Sequence, residues 1–179
     1  FEWEPEILAK VRKRKEKILS LRNEGVALYP NDVRVKDDTA GILNRFSHMG
    51  DDDLALVEER FTLAGRIMAI RDFGKGAFVI IQDRKGRIQA FIQKAAIGEN
   101  AFQIFKRLDI GDIIFIGGKV FRTKTRELTI HADEFRLLSK AIRPLPEKWH
   151  GLTDVETRYR QRHLDLITNP NVKELFYRR

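Results

Sequence analysis

Three adjoining stretches decide the fold: GAFVIIQ at 76–82, DRKG at 83–86 and RIQAFIQ at 87–93. The outer two have the length of strands, and side chains along a strand point alternately to its two sides. The middle four, Asp83-Arg84-Lys85-Gly86, are turn chemistry, so the whole reads as a β-hairpin. In the first run Phe78, Ile80 and Gln82 share one face and Ala77, Val79 and Ile81 the other. One set must be core, and the alternation alone leaves open which.

Working outward, Arg60–Ile70 reads as a preceding strand, joined through the turn Gly74-Lys75-Gly76. Asp112–Phe121 and Glu127–Leu138 read as a fourth and a fifth. Between them Phe102, Ile104, Phe105 and Leu108 fall at helical spacing within 100–108. Three strands, a short helix and two strands is the order of an OB-fold, a five-stranded, partly open Greek-key barrel.

The flanks are helical. Pro5–Glu24 predicts a helix with Pro5 in its first turn and Gly25 just past its end. Ile7, Leu8, Val11, Ile18 and Leu21 lie roughly on one face, ringed by Lys10, Arg12, Lys13, Arg14, Lys15 and Lys17. Leu28–Asn44 reads as loop and Gly50–Asp53 as an acidic turn. Arg143-Pro144-Leu145-Pro146 predicts an extended linker. Asp154–Ile167 reads as an arginine-rich helix, Asn169-Pro170-Asn171 as an interruption, and Val172–Arg179 as another helix. The expected fold class is an all-β core with helices: an OB-fold barrel with an N-terminal helical extension and a helical C-terminal tail. The expected boundaries are 1–55 for the extension with its loop, 56–140 for the barrel, and 141–179 for the linker and tail.

Composition narrows the function. Of 179 residues, 42% are hydrophobic and 34% charged, with a net charge of +8, so a core is affordable and a partner of opposite sign, nucleic acid first, is expected. The absence of cysteine excludes disulfides and thiolate metal sites and fits a cytoplasmic location. Apolar runs are too short to span a bilayer, so no membrane partner is expected. His48, His131, His150 and His163 lack metal-ligand spacing and read as surface or packing residues. No Walker loop or nucleophile elbow occurs, so neither catalytic nor metal residues are expected. The first residue is Phe1, which reads as a trimmed N-terminus.

A binding face is easier to find. An OB-fold takes single-stranded nucleic acid on its strand 2–3 face and adjoining loops, using rings to stack bases, polar side chains for base edges and cations for phosphates. Phe78 and Phe91 are candidate platforms. Gln89 is a polar residue among apolar neighbours. Arg66 and Arg71 lie on or after the first strand, and Arg122, Lys124 and Arg126 crowd the turn before the fifth. Lys13 and Lys17 on the first helix, with Arg122 and Lys124, are candidate backbone contacts.

Several strings go beyond composition. Gly65-Arg66-Ile67-Met68-Ala69-Ile70-Arg71, Phe73-Gly74-Lys75 with Phe78, Gly86-Arg87-Ile88-Gln89, and Phe121-Arg122-Thr123-Lys124-Thr125 leading to Glu127-Leu128-Thr129-Ile130 resemble the barrel of bacterial class II lysine–tRNA ligases. Arg143-Pro144-Leu145-Pro146-Glu147-Lys148, His150-Gly151-Leu152 and Arg158-Tyr159-Arg160-Gln161-Arg162 resemble that family's linker and the opening of its catalytic domain. Leu21-Arg22, Gly25 and Tyr29-Pro30-Asn31 fit its N-terminal extension.

The resemblance implies an anticodon-binding module for lysine tRNA, whose anticodon is rich in uridine. It implies that Phe78 stacks on the central uridine, that Gln89 and Glu127 bond its edge, and that Arg71 and Arg66 approach the loop. It also implies a homodimeric parent enzyme that uses ATP and Mg²⁺. Two departures stand out. Arg126 occupies a position where the family has glycine, and Phe115 and Ile116 replace smaller residues. The Phe-Arg-acid of motif 2 and the glycine-rich motif 3 are absent: Phe121-Arg122 and Phe135-Arg136 lack the following acid. The chain is therefore expected to end near the opening of motif 1, to carry no cofactor and to be catalytically inactive. The alternatives are a free-standing OB module for single-stranded RNA or DNA, and a dimer-interface fragment without RNA affinity of its own.

Overall fold

In the computed structural model, which describes residues 5–146 and 154–179, the 76–93 hairpin pairs in antiparallel register from Gly76 opposite Gln93 to Gln82 opposite Arg87. Its strands are β2 (Gly76–Gln82) and β3 (Arg87–Gln93), the spans read from the sequence. The turn is tied by Asp83, whose carboxylate accepts the N–H groups of Lys85 (2.7 Å) and Gly86 (2.9 Å). The open question of faces resolves plainly: Ala77, Val79 and Ile81 are fully buried, and Phe78, Ile80 and Gln82 look outward.

The remaining strands are β1 (Phe61–Asp72), β4 (Ile113–Arg122) and β5 (Leu128–Ser139). They close a barrel in the order β1-β2-β3-β5-β4, antiparallel throughout except for the parallel β3–β5 pair. β1 serves two neighbours, pairing with β4 over Phe61–Arg66 and with β2 over Arg66–Asp72. A bulge at Met68 between the paired residues Ile67 and Ala69 lets one strand bend around the corner. Gly65 sits at the close approach: a Cβ there would lie 2.6 Å from the Gln82 carbonyl oxygen. Ile67, Val79, Ile81, Ala90, Ile92, Ile114, Ile116 and Ile130 fill the interior with no exposed surface. Each isoleucine or valine among them contributes about 1.5–3 kcal/mol on burial. Phe115 and Ile116 are buried as well.

Helices from the extension join this core. α1 (Pro5–Asn23) buries Ile18 and Leu21, and Gly25 after it takes φ +77°, the left-handed geometry that favours glycine. The segment expected to be loop instead contains α2 (Thr39–Phe46). Its N-cap is Asp38, which accepts the Gly41 N–H at 2.8 Å, and it buries Thr39, Ile42 and Phe46 on one side. Phe46 meets Phe61 edge-on at 5.3 Å. Asp83 reaches α2 too, accepting the Thr39 N–H and hydroxyl at 2.7 Å each. The acidic turn is a short helix, α3 (Asp51–Ala55). Between β3 and β4 lie α4 (Lys94–Ile97) and α5 (Glu99–Lys106), the latter burying Phe102 and Phe105.

A buried ionic knot fastens α1 to the barrel. The Lys140 ammonium, with no side-chain exposure, lies 2.6 Å from both Asp109 and Asp112. Lys17 reaches Asp109 at 2.7 Å, and Arg14 donates to the carbonyls of Ala141 (2.8 Å) and Ile110 (3.0 Å). Burial pushes the Asp109 carboxyl up, but the bonds from Lys140 and Lys17 outweigh it and hold the group below its ordinary range.

The chain divides into two compact units at Ile142/Arg143. The second holds α6 (Val155–Arg160), α7 (Arg162–Thr168) and α8 (Pro170–Arg178). The helix expected over 154–167 breaks at Gln161, whose φ −117°, ψ 55° is not helical. Pro170 opens α8 rather than interrupting, because its missing N–H is harmless in a first turn. The buried Asp165 carboxylate accepts from Arg158 (3.0 Å) and Arg162 (2.7 Å). The motif residues Glu147, Lys148 and His150-Gly151-Leu152 lie outside the described residues.

Candidate nucleic-acid interface

Directly opposed residues on paired strands share a face. Following the registers around the barrel exterior, Arg71 opposes Phe78, Phe78 opposes Phe91, Phe91 opposes His131, and His131 opposes Lys119. One row thus crosses all five strands with a ring at its centre on three of them. The rings touch: Phe78 and Phe91 lie 4.9 Å apart between centroids, and Phe91 stacks on His131 at 5.6 Å. Phe121 stands edge-on to His131 at 6.0 Å. At the β1–β2 end Phe73 stands perpendicular to Phe78 at 5.6 Å, and the Arg71 guanidinium lies 5.4 Å from the Phe73 ring centre.

The adjoining row carries the polar groups. Ile80 opposes Gln89, Gln89 opposes Thr129, and Thr129 opposes Phe121. The Gln89 amide donates to the Thr129 hydroxyl oxygen at 2.9 Å, and that hydroxyl donates to the Glu127 carbonyl at 3.1 Å. Thr129 has no exposure, and its own hydrogen is taken by Glu127, so Oγ1 is free only to accept. This turns the Gln89 amide nitrogen toward Thr129 and leaves its second N–H to donate elsewhere. The Glu127 side chain is exposed at the mouth of the β4–β5 turn. That turn closes through Arg126 N–H to Thr123 O (2.8 Å) and Thr123 N–H to Glu127 O (3.0 Å). Arg126 takes φ 64°, so the position does require the left-handed conformation that glycine supplies without strain.

The candidate cations part ways. Arg71 sits in the ring row. Lys124 and Lys13 are exposed. Arg122 is taken up by the fold: its guanidinium donates to the carbonyls of Phe46 (3.2 Å), Ser47 (3.3 Å) and Met49 (2.9 Å) and lies 3.2 Å from Asp51. Lys17 belongs to the ionic knot. Arg66 donates to the Gly111 carbonyl at 2.8 Å and opposes Gln82, beyond the Gln89 row. Thr129, Phe121 and the ring-row position of His131 were not singled out from the sequence. The alternation places Thr129 on the outer face, but its contact with Gln89 depends on a parallel register that no local signal encodes.

The β1–β2 turn is held rigidly. The Asp72 carboxylate is kept below its usual range by the Lys106 ammonium and then by the Gly74 N–H. Phe73 N–H donates to Gly76 O at 2.8 Å, Lys94 N–H to Lys75 O at 3.0 Å, and Gly74 adopts φ +87°. Taken together, the exterior offers stacked rings, one oriented amide donor, one exposed carboxylate and flanking cations, which is the equipment for a single-stranded base and its phosphates. Among the described residues no group of three His, Cys, Asp or Glu side chains could hold a metal ion.

The family model for an OB-fold nucleic acid binding domain, of the tRNA anticodon type, matches residues 61–138, which is β1 through β5. Residues 61–138 form an OB-fold domain similar to that family. Relatives extend the match along the chain. The lysine–tRNA ligase of Xylella fastidiosa (strain M23) is 47% identical over 174 residues, 96% of this chain and 34% of the relative. That of Anaeromyxobacter sp. (strain K) is 45% identical over 176 residues, 98% of this chain and 34% of the relative. That of Moorella thermoacetica is 45% identical over 166 residues, 93% and 32% respectively. The chain is a homologue of lysine–tRNA ligases and spans about a third of the length of the curated relatives it matches. The similarity to the relatives continues beyond the barrel through α1 and through the second unit.

Proposed function

We propose that the barrel exterior holds the anticodon loop of a lysine tRNA, with Phe78 stacked on the central uridine. The observation that carries this reading is the juxtaposition of an outward ring, Phe78, with the oriented amide of Gln89 in the neighbouring row, on an anticodon-type OB domain. Gln89 donates its second N–H to uracil O4, and the Glu127 carboxylate accepts from N3–H. Cytosine presents N4–H₂ and a bare N3 at the same places, so it meets donor with donor and acceptor with acceptor. Arg71, Lys124 and Lys13 supply positive charge for phosphates; Arg66 flanks the loop more remotely.

The parent protein in this reading is a class II, ATP- and Mg²⁺-dependent lysine–tRNA ligase, homodimeric and cytoplasmic. Residues 1–55 extend the anticodon domain of 56–140, and 141–179 begin the catalytic domain. Motifs 2 and 3 do not occur within 1–179, so ATP and lysine are handled by sequence other than these residues. No described helix is long and apolar enough to cross a membrane.

The test is a titration of the 179-residue chain with matched stem-loops differing only in uridine or cytidine at the central loop position. The uridine loop should bind more tightly, with a log K against log salt slope of roughly −3 to −4 if about four to six phosphates are contacted. Equal affinity for the two loops, or affinity independent of salt, refutes the reading. The chain alone should give no lysine-dependent pyrophosphate exchange.

A further inference from the structure

Phe73 is the most exposed phenylalanine of the described residues, with 53% of its surface open on the turn between β1 and β2. Scattered surface apolar residues need no explanation, but this one is placed by design of the backbone around it. Its N–H is bonded to Gly76, Gly74 after it takes a left-handed φ, and Asp72 before it is fixed by Lys106. A ring held on a pinned turn loses little conformational entropy when it meets a ligand. It stands at 85° to Phe78, so the two rings do not share one plane of stacking. The Arg71 guanidinium lies against it, and neither Arg71 nor Lys75 has a carboxylate partner among the described residues. An exposed ring flanked by two unmatched cations is chemistry for a base whose own phosphates lie beside it.

We propose that Phe73, with Arg71 against it, is a second stacking platform that holds the base adjoining the one on Phe78, so that this chain grips two neighbouring loop nucleotides. The inference rests on the anticodon reading above and adds to it a second base, at a residue outside the Phe78–Gln89–Glu127 set. The perpendicular rings impose a turn in the strand between the two bases. Phosphates on the outer side of that turn face Arg71 and Lys75.

The experiment is a cycle of protein and RNA changes on the 179-residue chain. Uridine-rich stem-loops carry an abasic residue at the central position, at its 5′ neighbour or at its 3′ neighbour, and each is titrated with wild type, Phe73→Ala, Phe73→Leu and Phe78→Ala. For wild type, removing one of the two neighbouring bases should weaken binding about 5- to 150-fold, the range for one stacked base. Phe73→Ala should lose a similar factor on the intact loop and then be indifferent to that same abasic position, while still responding to the central one. Phe73→Leu should behave like Phe73→Ala, because an aliphatic side chain has no π-face. Full recovery by leucine, or wild-type affinity in Phe73→Ala, overturns the second platform and leaves the first intact. Indifference of wild type to the central abasic site, with no effect of Phe78→Ala, removes the anticodon reading itself. Thermal melts should be unchanged for both Phe73 variants, since the ring lies on the surface.

Discussion

Replacing Thr129 by valine removes a hydroxyl without changing the shape of a fully buried side chain. Two bonds disappear: Gln89 Nε2 to Thr129 at 2.9 Å and Thr129 to the Glu127 carbonyl at 3.1 Å. Each is worth about 0.5–1.5 kcal/mol net. The Glu127 carbonyl keeps the Thr123 N–H at 3.0 Å, and Gln89 is only half-buried, so its amide turns to water. Stability should therefore fall by only about 1 kcal/mol, toward the low end of the sum. The larger consequence is for reading. In the wild type a flip of the Gln89 amide sacrifices the Thr129 bond, so presenting an acceptor to cytosine N4–H₂ costs about 0.5–1.5 kcal/mol. In Thr129→Val that penalty vanishes. Cytidine loops should gain about 2- to 12-fold in affinity while uridine loops change less than about 2-fold. Thr129→Ser keeps the hydroxyl and should keep the ratio. Fluorescence titrations with matched stem-loops read both numbers. A Thr129→Val protein whose uridine-to-cytidine ratio equals wild type, or one that loses both loops equally, refutes the claim that Thr129 orients Gln89.

Three further outcomes are expected. Asp112→Ala leaves Lys140 buried beside a single carboxylate and orphans the N–H groups of Ala141 and Asp109, so unfolding in urea should show a loss of about 3–5 kcal/mol; a loss under about 1 kcal/mol would contradict the ionic knot. Asp109 and Asp83 both titrate below the ordinary carboxylate range in the fold, Asp83 because four donated hydrogen bonds, two from Thr39, outweigh its burial. Their stabilisation is present above the unfolded value of about 3.9 and is lost as pH falls below it through the folded values, so denaturant midpoints should be level from neutral down to about pH 5 and drop at lower pH, less steeply in Thr39→Val. Arg126→Gly should raise stability by up to about 1 kcal/mol, because the side chain is 81% exposed and glycine takes φ 64° without strain; a destabilised variant would show that Arg126 is held there by contacts rather than tolerated.

How much the sequence disclosed follows from which signals are local. β2 and β3 were legible to the residue, because strand-length runs flank a four-residue turn whose Asp83 bonds its own backbone. α2 was not, because Gly41 and the acidic pair Asp37-Asp38 look like loop until Asp38 is seen capping Ile42 and Phe46 onto the core. Pro170 misled for a related reason: the same residue breaks a helix interior and suits a helix start. The face of Phe78 was undecidable while both its row and its neighbour were apolar, and only barrel closure separated them. Among cations, sequence reports charge and not company. Arg71 and Lys124 remain available to a ligand, whereas Arg122 and Lys17 are engaged by carbonyls and carboxylates distant in the chain. Gln89 was legible as an anomaly, a polar residue in an apolar strand; Thr129, which gives it direction, was not.

The parallel seam between β3 and β5 has a consequence for how the protein comes into being. Gln89 and Thr129 are partners across it, as are Phe91 and His131, forty residues apart in sequence. Hairpins such as β1–β2, β2–β3 and β4–β5 close short loops and are expected to form early, whereas this pairing, like β1–β4, joins strands distant in sequence and carries a larger loop entropy. The ring row and the amide both straddle the seam. A nascent or partly folded chain therefore owns strands but no assembled ring row, and the proposed base recognition should switch on only when the barrel shuts. In a stopped-flow refolding trace, recovery of stem-loop binding should coincide with the slowest folding phase rather than with the appearance of β-structure.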